Sequence, residues 1–571
     1  MAGKHFLAIA FVAGAAAAAT ALSGAWLPLP VVSIPVNAAS DPHGEMFQTS
    51  DRCMACHNSL ATPSGEDVSI GTSWRASVMA NSSRDPYWQA GVRRETIDHP
   101  QQSAAIQDEC ATCHMPMART EARAEGREGG VFKHLPAHND PFEGSHPDRL
   151  AHDGVSCALC HQISDKNLGT DASFTGGYVI APPRPLPSTS PRKVAPVASP
   201  LDREVFGPYK IEKGLSTVMR STSDFQPTEA THIKQSELCA TCHTLITKAL
   251  GPTGDVIGEL PEQVMFLEWK HSDYVAQEKS CQSCHMPVVE EDTPIASVLG
   301  APRKGFARHT FVGGNFFMLG MLNKYRSELG VLAPSAELDA SAGRTLKNLQ
   351  QSTAKVAIER TEAAGGRLNI DVTIQNLTGH KLPTAYPSRR AWLHVAVRDR
   401  AGKTIFESGA IGPSGSIQGN ANDADATAFE PHYTEIREPD QVQIYESVMR
   451  DQSGAPTTAL LKGLGYLKDN RLLPIGFNKI TAEPRIAVVG EAVQDQNFTG
   501  GEDRIRYSIQ AAGEGPYQID VELRFQVIAF RWAENLRPYD SAETKRFVRY
   551  YSEMSAASSE VLAKTSVTTS R

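Results

Sequence analysis

After residue 354, several runs alternate apolar and polar residues. "KVAIER" (355–360), "RLNIDVTIQ" (367–375), "AWLHVAVRD" (391–399) and "KTIFES" (403–408) all keep this period. So do "RIRYSIQ" (504–510) and "YQIDVELRFQVIAF" (517–530), where Tyr517, Ile519, Val521, Leu523, Phe525 and Val527 share one face. Gly-rich turns separate the runs. A period of two marks half-buried antiparallel strands, and this many short strands predict a β-sandwich. Before residue 340 the pattern differs. "GNFFMLGMLNKY" (314–325) and "SAELDASAGRTLKNLQQST" (335–353) read as helices with an apolar face. Upstream lie short, irregular segments, including a Pro/Ser-rich loop over residues 182–200. The class predicted is α+β and multidomain: a mainly helical and loop domain over 39–340, a β-sandwich domain over 341–535, and a terminal helix or tail over 536–571.

Residues 1–38 stand apart. Lys4 is followed by an apolar, Ala-rich run, and "VNAAS" (36–40) offers a cleavage point after Ala38. This is the layout of an export signal. An uncleaved N-terminus would instead tether the chain to a membrane, although Pro28, Pro30 and Pro35 interrupt a single spanning helix. The formal charge of −8 over 571 residues, with no basic block, excludes nucleic acid as a natural partner.

The cysteines carry the chemistry. All ten fall in five motifs: "CMACH" (53–57), "CATCH" (110–114), "CALCH" (157–161), "CATCH" (239–243) and "CQSCH" (281–285). C-x-x-C-H is the attachment signal of c-type haem. Two thiols at this spacing reach the two vinyl groups of one porphyrin, and the adjoining imidazole lies beneath the iron. Disulfides give no reason for a histidine after each pair, and zinc ribbons need none. Given the histidine content, chance would place one after all five pairs with a probability of roughly 10⁻⁸. Five covalent haem c groups are thus expected, held by Cys53 with Cys56, Cys110 with Cys113, Cys157 with Cys160, Cys239 with Cys242, and Cys281 with Cys284. Their proximal iron ligands are His57, His114, His161, His243 and His285. About sixty residues per haem cannot build a conventional core, so the porphyrins must form much of the interior. Each motif is expected to open or sit on a short helix. Ser50 and Ser236 precede two motifs where helix N-caps would stand.

The first half resembles multihaem c-type cytochromes of the cytochrome c-554/c-552 group. The resemblance lies in the five motifs and in "GEDVSIGTSWRASVMANSSRDPYWQA", "FGPY", "EQVMFLEW" and "HTFVGGN". "NLTGHKLPT…RRAWLHVAV" and "YLKDNRLLPIGF" look like the β-domain fused to such cytochromes. The resemblance implies an electron carrier of the periplasm or cell surface that serves redox partner proteins. The β-domain offers a surface for a partner or a second copy. The C-x-x-C-K haem of the pentahaem nitrite reductases has no counterpart here.

Second axial ligands must come from elsewhere. The resemblance puts one at His309, in "RHTFVGGN". His380, in a turn between Gly379 and Pro383, is a second candidate, and Arg389 and Arg390 beyond it would face haem propionates. His43, His99 and His232 each precede a motif within reach of a neighbouring haem. One of His134, His138, His146 and His152 is expected to ligate. His271 is a weaker candidate, His394 reads as structural, and His432 shows no distinguishing feature. Met79 and Met219 are sulfur alternatives, though each also reads as plain core. Trp74, Trp88 and Trp269 are expected to pack on haem edges. The acidic stretch 420–430 reads as an exposed loop rather than a calcium site. Two functions remain open: electron transfer through five six-coordinate haems, or an oxidoreductase with one open iron acting on a small nitrogen or sulfur compound.

Overall fold

The computed structural model describes residues 46–136, 144–180, 184–185 and 201–569, with 184–185 and 201–202 described as backbone alone. The export signal, His43, His138 and most of the Pro/Ser-rich loop lie outside the described residues.

In the first half the elements are short, because each motif is tied to its own small helix: Ser50–Met54, Ser103–His114, Cys157–Cys160, Ser236–His243 and Cys281–His285. The first motif departs from the expectation. Its helix holds Cys53 but ends at Met54, so Cys56 lies in the turn that follows. The chain still coils there: the Cys56 N–H donates to Cys53 O at 3.2 Å and the His57 N–H to the same oxygen at 2.9 Å. Ser50 and Ser236 are first helical residues; Thr49 and Gln235 hold the cap positions. The two serines instead tie motif segments together. Ser50 Oγ donates to Asp153 at 2.6 Å, just before the third motif. Ser236 Oγ accepts from the Cys281 N–H at 3.0 Å. Two-stranded ribbons fill in between, of which the longest pairs Leu245–Leu250 with Val256–Gln263.

The helices Phe316–Lys324 and Ser335–Ser352 form as the pattern predicts. In the second, Leu338, Ser341, Thr345 and Leu349 are buried, which is one face at helical spacing.

Beyond this lie two sheets. The smaller has the order Glu435–Ile436, Glu502–Gln510, Arg367–Asn376, Ala354–Ala364. The larger runs Pro456–Thr457, Ile444–Arg450, Arg390–Arg398, Gln518–Gln526, Ser559–Thr568, with Thr404–Ser408 and Tyr466–Asp469 paired alongside. Alternate residues of both enter one core: Leu368, Ile370, Val372 and Ile374 from one sheet, Ile519, Val521, Leu523 and Phe525 from the other. The alternating run over 517–530 is a strand only as far as Gln526, and Phe530–Glu534 is a short helix. The terminal segment is more than a helix or tail. Ala542–Met554 is a helix, but Ser559–Thr568 pairs with Gln518–Gln526 and completes the larger sheet. Its serines and threonines mask the alternation that would mark it.

Candidate functional site

Four of the five motif histidines share one anchoring pattern. Nδ1 of His57, His114, His161 and His285 lies 2.6, 3.2, 2.6 and 2.5 Å from the carbonyl oxygens of Ile295, Ser82, Phe206 and Val312. A histidine fixed through Nδ1–H to a carbonyl presents Nε2 as a lone-pair donor, the usual second-shell arrangement of a metal ligand. His243 makes no such bond among the described residues. Burial holds His114 and His243 down at about 4, so both are neutral at pH 7. The neutral ring is the form that ligates.

Two histidines from distant sequence face motif histidines. His309 stands opposite His161 with ring centres 6.4 Å apart and planes 20° apart. His380 stands opposite His285 at 6.3 Å and 12°. Imidazoles on opposite faces of one metal, each about 2 Å from it, have ring centres roughly 6 Å apart. Both newcomers also bind backbone through Nδ1, His309 to Ala307 O at 3.0 Å and His380 to Lys381 O at 2.9 Å. Burial pushes His309 down to about 4 and lowers His380 as well.

The remaining candidates separate by the same test. His99 is 6% exposed, and its Nε2 has no hydrogen-bond partner among the described residues, an orphaned buried nitrogen that calls for a ligand or a water. His232 and His152 are spent the other way round. Their Nε2 atoms bind Ile163 O at 2.8 Å and His134 O at 2.5 Å. His134 holds Asp148 at 2.7 Å and His146 holds Glu121 at 3.2 Å. His271 places Nδ1 2.8 Å from Leu267 O, as the ligand-like histidines do. His394 sits between Glu407 and Glu522, a structural role as expected. Met79 and Met219 are half-buried. Trp88 stacks on His114 at 4.3 Å, whereas Trp74 and Trp269 donate to backbone oxygens of Val155 and Lys279.

Of the two arginines expected to face propionates, Arg390 does not. It is 1% exposed and held by both oxygens of Asp423 at 2.8 and 2.9 Å. That pairing also ties down the acidic stretch 420–430. Arg389 differs. It donates to Thr384 O at 3.2 Å and has no carboxylate partner among the described residues. Burial lowers it to about 10, and its charge reaches both His243 and His380. An unpaired guanidinium in this position suits a porphyrin carboxylate.

The motifs also meet one another. The thiols of Cys53 and Cys157 lie close enough to influence one another, as do those of Cys113 with Cys242 and Cys239 with Cys281. The charge of Cys160 reaches Cys239. The contacts therefore run from the first motif to the third, on to the fourth, and from there to the second and the fifth. Motif order in space is not motif order in the chain, and no spacing argument could have found it.

Three cysteines, Cys56, Cys110 and Cys284, take no part in these thiol contacts between motifs among the described residues. Cys284 is exposed, at the outer end of the branch. Cys56, half-buried in its turn, meets another part of the chain through its backbone instead. The Cys56 carbonyl accepts from the N–H and the hydroxyl of Ser297 at 2.8 and 3.1 Å. Ser297 lies two residues beyond Ile295, whose carbonyl anchors His57. One loop thus holds both the second cysteine and the histidine of the first motif, in place of the helix that the sequence leads one to expect there.

Sequence reasoning passed over one buried group. His432, Asp495 and Asp503 bring ligand atoms within 4.8 Å of one another. Yet His432 Nε2 faces Asp495 at 3.1 Å, and its Nδ1 accepts from Gln443 and Asn470 at 3.0 and 3.1 Å. Tyr445 donates to Asp503 at 2.8 Å. This is a closed hydrogen-bond network in the β-domain.

Neither a family model nor a curated protein matches this chain. A solved structure does: a penta-heme cytochrome c552 from Thermochromatium tepidum, 15% identical over 91% of this chain and 99% of that one, with a TM-score of 0.47. No helix among the described residues is long and apolar enough to cross a membrane.

Proposed function

We propose that this chain is an exported pentahaem c-type cytochrome that passes electrons between redox partner proteins in the periplasm or at the cell surface. The observation that carries the reading is the pairing of His309 with His161 and His380 with His285 at the spacing of two axial ligands. The ten motif cysteines, Cys56 in its turn included, would hold five haem c groups by thioether bonds, and His57, His114, His161, His243 and His285 would be proximal ligands. His309 and His380 would complete two coordination spheres, and His99 is the best-placed further ligand. When bound, haem supplies one-electron oxidation and reduction.

The chain's own residues do the rest. Backbone carbonyls orient the imidazoles through Nδ1. Burial keeps the rings neutral and excludes water. Arg389 supplies a positive charge between the fourth and fifth sites, which favours the reduced state there. The contacts among motifs give a branched, continuous path. A second reading, an oxidoreductase with one open iron, rests on His243. That ring has no Nδ1 anchor among the described residues and has Arg389 nearby, the kind of donor that would stabilise a developing anion.

The test is a pyridine haemochrome assay on the purified protein, with intact mass. Five thioether-bound haems per chain are expected. Fewer than five, or haem extracted by acid acetone, contradicts the proposal. Oxidised-state paramagnetic resonance then separates the readings, because a high-spin iron that responds to nitrite or sulfite favours the enzyme.

A further inference from the structure

The turn that carries His380 is gripped from the first half of the chain. Tyr274 donates to Leu377 O at 2.5 Å, and a Cβ on Gly379 would meet Trp269 and Tyr274 at 3.4 Å. Within that grip lies Glu268, on the helix Met265–Lys270 and fully buried at 0% exposure. A buried carboxylate is costly unless hydrogen bonds and opposite charge offset its lost hydration. Every partner of this one comes from the β-domain. The Lys381 N–H donates to Oε2 at 3.1 Å and the Thr384 hydroxyl at 2.6 Å. Arg471 Nη1 lies 3.0 Å from Oε1.

Lys381 is the residue directly after the proposed ligand, and it is fixed at three points. Its N–H is on Glu268. Its side chain is 0% exposed, with Nζ 2.7 Å from Asp469. Its carbonyl accepts the Nδ1 proton of His380 at 2.9 Å. Asp469 is held in turn by Arg471 at 2.7 Å, so two acids and two bases balance within the cluster. The His380 carbonyl, on the same peptide unit as the Lys381 N–H, accepts from Asn376 and Thr378, each at 2.8 Å. The peptide joining ligand to neighbour is therefore clamped on both edges.

We infer that Glu268 is a positioning residue for His380: by holding Lys381 it fixes the carbonyl that orients this imidazole, and so tunes the iron it faces opposite His285. The inference rests on the reading of His380 as an axial ligand. A hydrogen bond from the non-ligating ring nitrogen sets both ring orientation and ligand basicity. A first-half carboxylate thereby controls a ligand delivered by the second half, which couples domain contact to redox potential.

The experiment uses the haem-loaded full-length protein. His380→Ala first identifies the low-spin resonance of the iron concerned. Glu268→Ala, Glu268→Gln and Thr384→Val are then compared by low-temperature paramagnetic resonance and potentiometric titration. Glu268→Ala should broaden that one resonance and convert part of it to high spin, leaving the other four irons alone. Glu268→Gln keeps an acceptor for Lys381 and Thr384, so it should restore the line width while raising that iron's potential through loss of a negative charge. If Glu268→Ala does not fold, Thr384→Val should give a weaker broadening of the same resonance. Variants that leave that resonance and its midpoint at wild-type values, or that shift all five irons equally, overturn the positioning role. If His380→Ala itself alters no iron, the ligand reading falls, and this inference with it.

Discussion

A single atom, Nδ1, sorts the histidines of this chain. Where it rests on a backbone carbonyl the ring offers Nε2 to a metal, and the sequence cannot display that choice. His309 was a candidate through the family resemblance and His380 through its turn between Gly379 and Pro383, and the fold sets them opposite His161 and His285. His232 looked equivalent by position, yet its Nε2 is bound to Ile163 O. His99 was legible in position, while its orphaned nitrogen was not. Arg389 and Arg390 are neighbours in sequence with opposite fates, because Arg390 opens the strand Arg390–Arg398 while Arg389 still belongs to the turn before it, its N–H on Tyr386 O. Arg390 therefore meets Asp423, and Arg389 meets no acid among the described residues. Two predictions belong here. His309→Ala should convert one low-spin iron to high spin in the oxidised spectrum, and an unchanged spectrum would remove His309 from the ligand set. Arg389→Leu should lower one midpoint potential by roughly 60 mV, a tenfold change in a one-electron equilibrium. Arg389→Lys should recover most of it, and a titration curve identical to wild type would show that Arg389 faces no haem carboxylate.

At the scale of elements, the two-residue period located six of the eleven strands described in the two large sheets, and the 3.6-residue period the helices Phe316–Lys324 and Ser335–Ser352. It missed Ser559–Thr568 and Ile444–Arg450, where polar residues stand on buried faces. Nor could it show that the first motif helix stops short of Cys56, because the loop around Ile295 and Ser297 that holds the turn is remote in sequence. The hairpin Leu245–Leu250 with Val256–Gln263 also escaped notice, because its register shifts twice and blurs the alternation. That hairpin buries Glu262, 4% exposed, with Thr247 and Gln263 as hydrogen-bond partners and no cation paired to it among the described residues. Burial raises its carboxyl to about 7 from an ordinary 4.5. A raised acid binds its proton more tightly when folded, so its contribution is fully present below pH 4.5 and lost as pH climbs to about 7. The loss is on the order of 3 kcal/mol. Glu262→Gln should therefore melt above wild type at pH 8 and level with it near pH 4.5. A variant that melts below wild type at pH 8 would show that the ionised carboxylate is accommodated.

Over the whole molecule, the two halves are joined by many directional contacts. Arg93 reaches Glu543, Glu95 accepts from the Leu460 N–H, and Lys462 pairs with Asp98. Most are solvent-accessible ion pairs worth little singly. The buried group Glu268, Lys381, Asp469 and Arg471 is different, since separating the halves would strand charges in an apolar interior. The second half is thus no detachable passenger. It packs on the first and sets His380 opposite His285. The haem motifs were plain from the sequence, as was the candidate arm at His380. The branched order of motifs in space was not, because it depends on contacts between segments a hundred residues apart.

His380 is the decisive residue. The most direct measurement is low-temperature paramagnetic resonance of the oxidised, haem-loaded protein, wild type against His380→Ala. One low-spin iron in the wild type is expected to become high spin in the variant while the other signals persist. An unchanged set of signals, with the variant folded and all haems attached, would contradict that expectation.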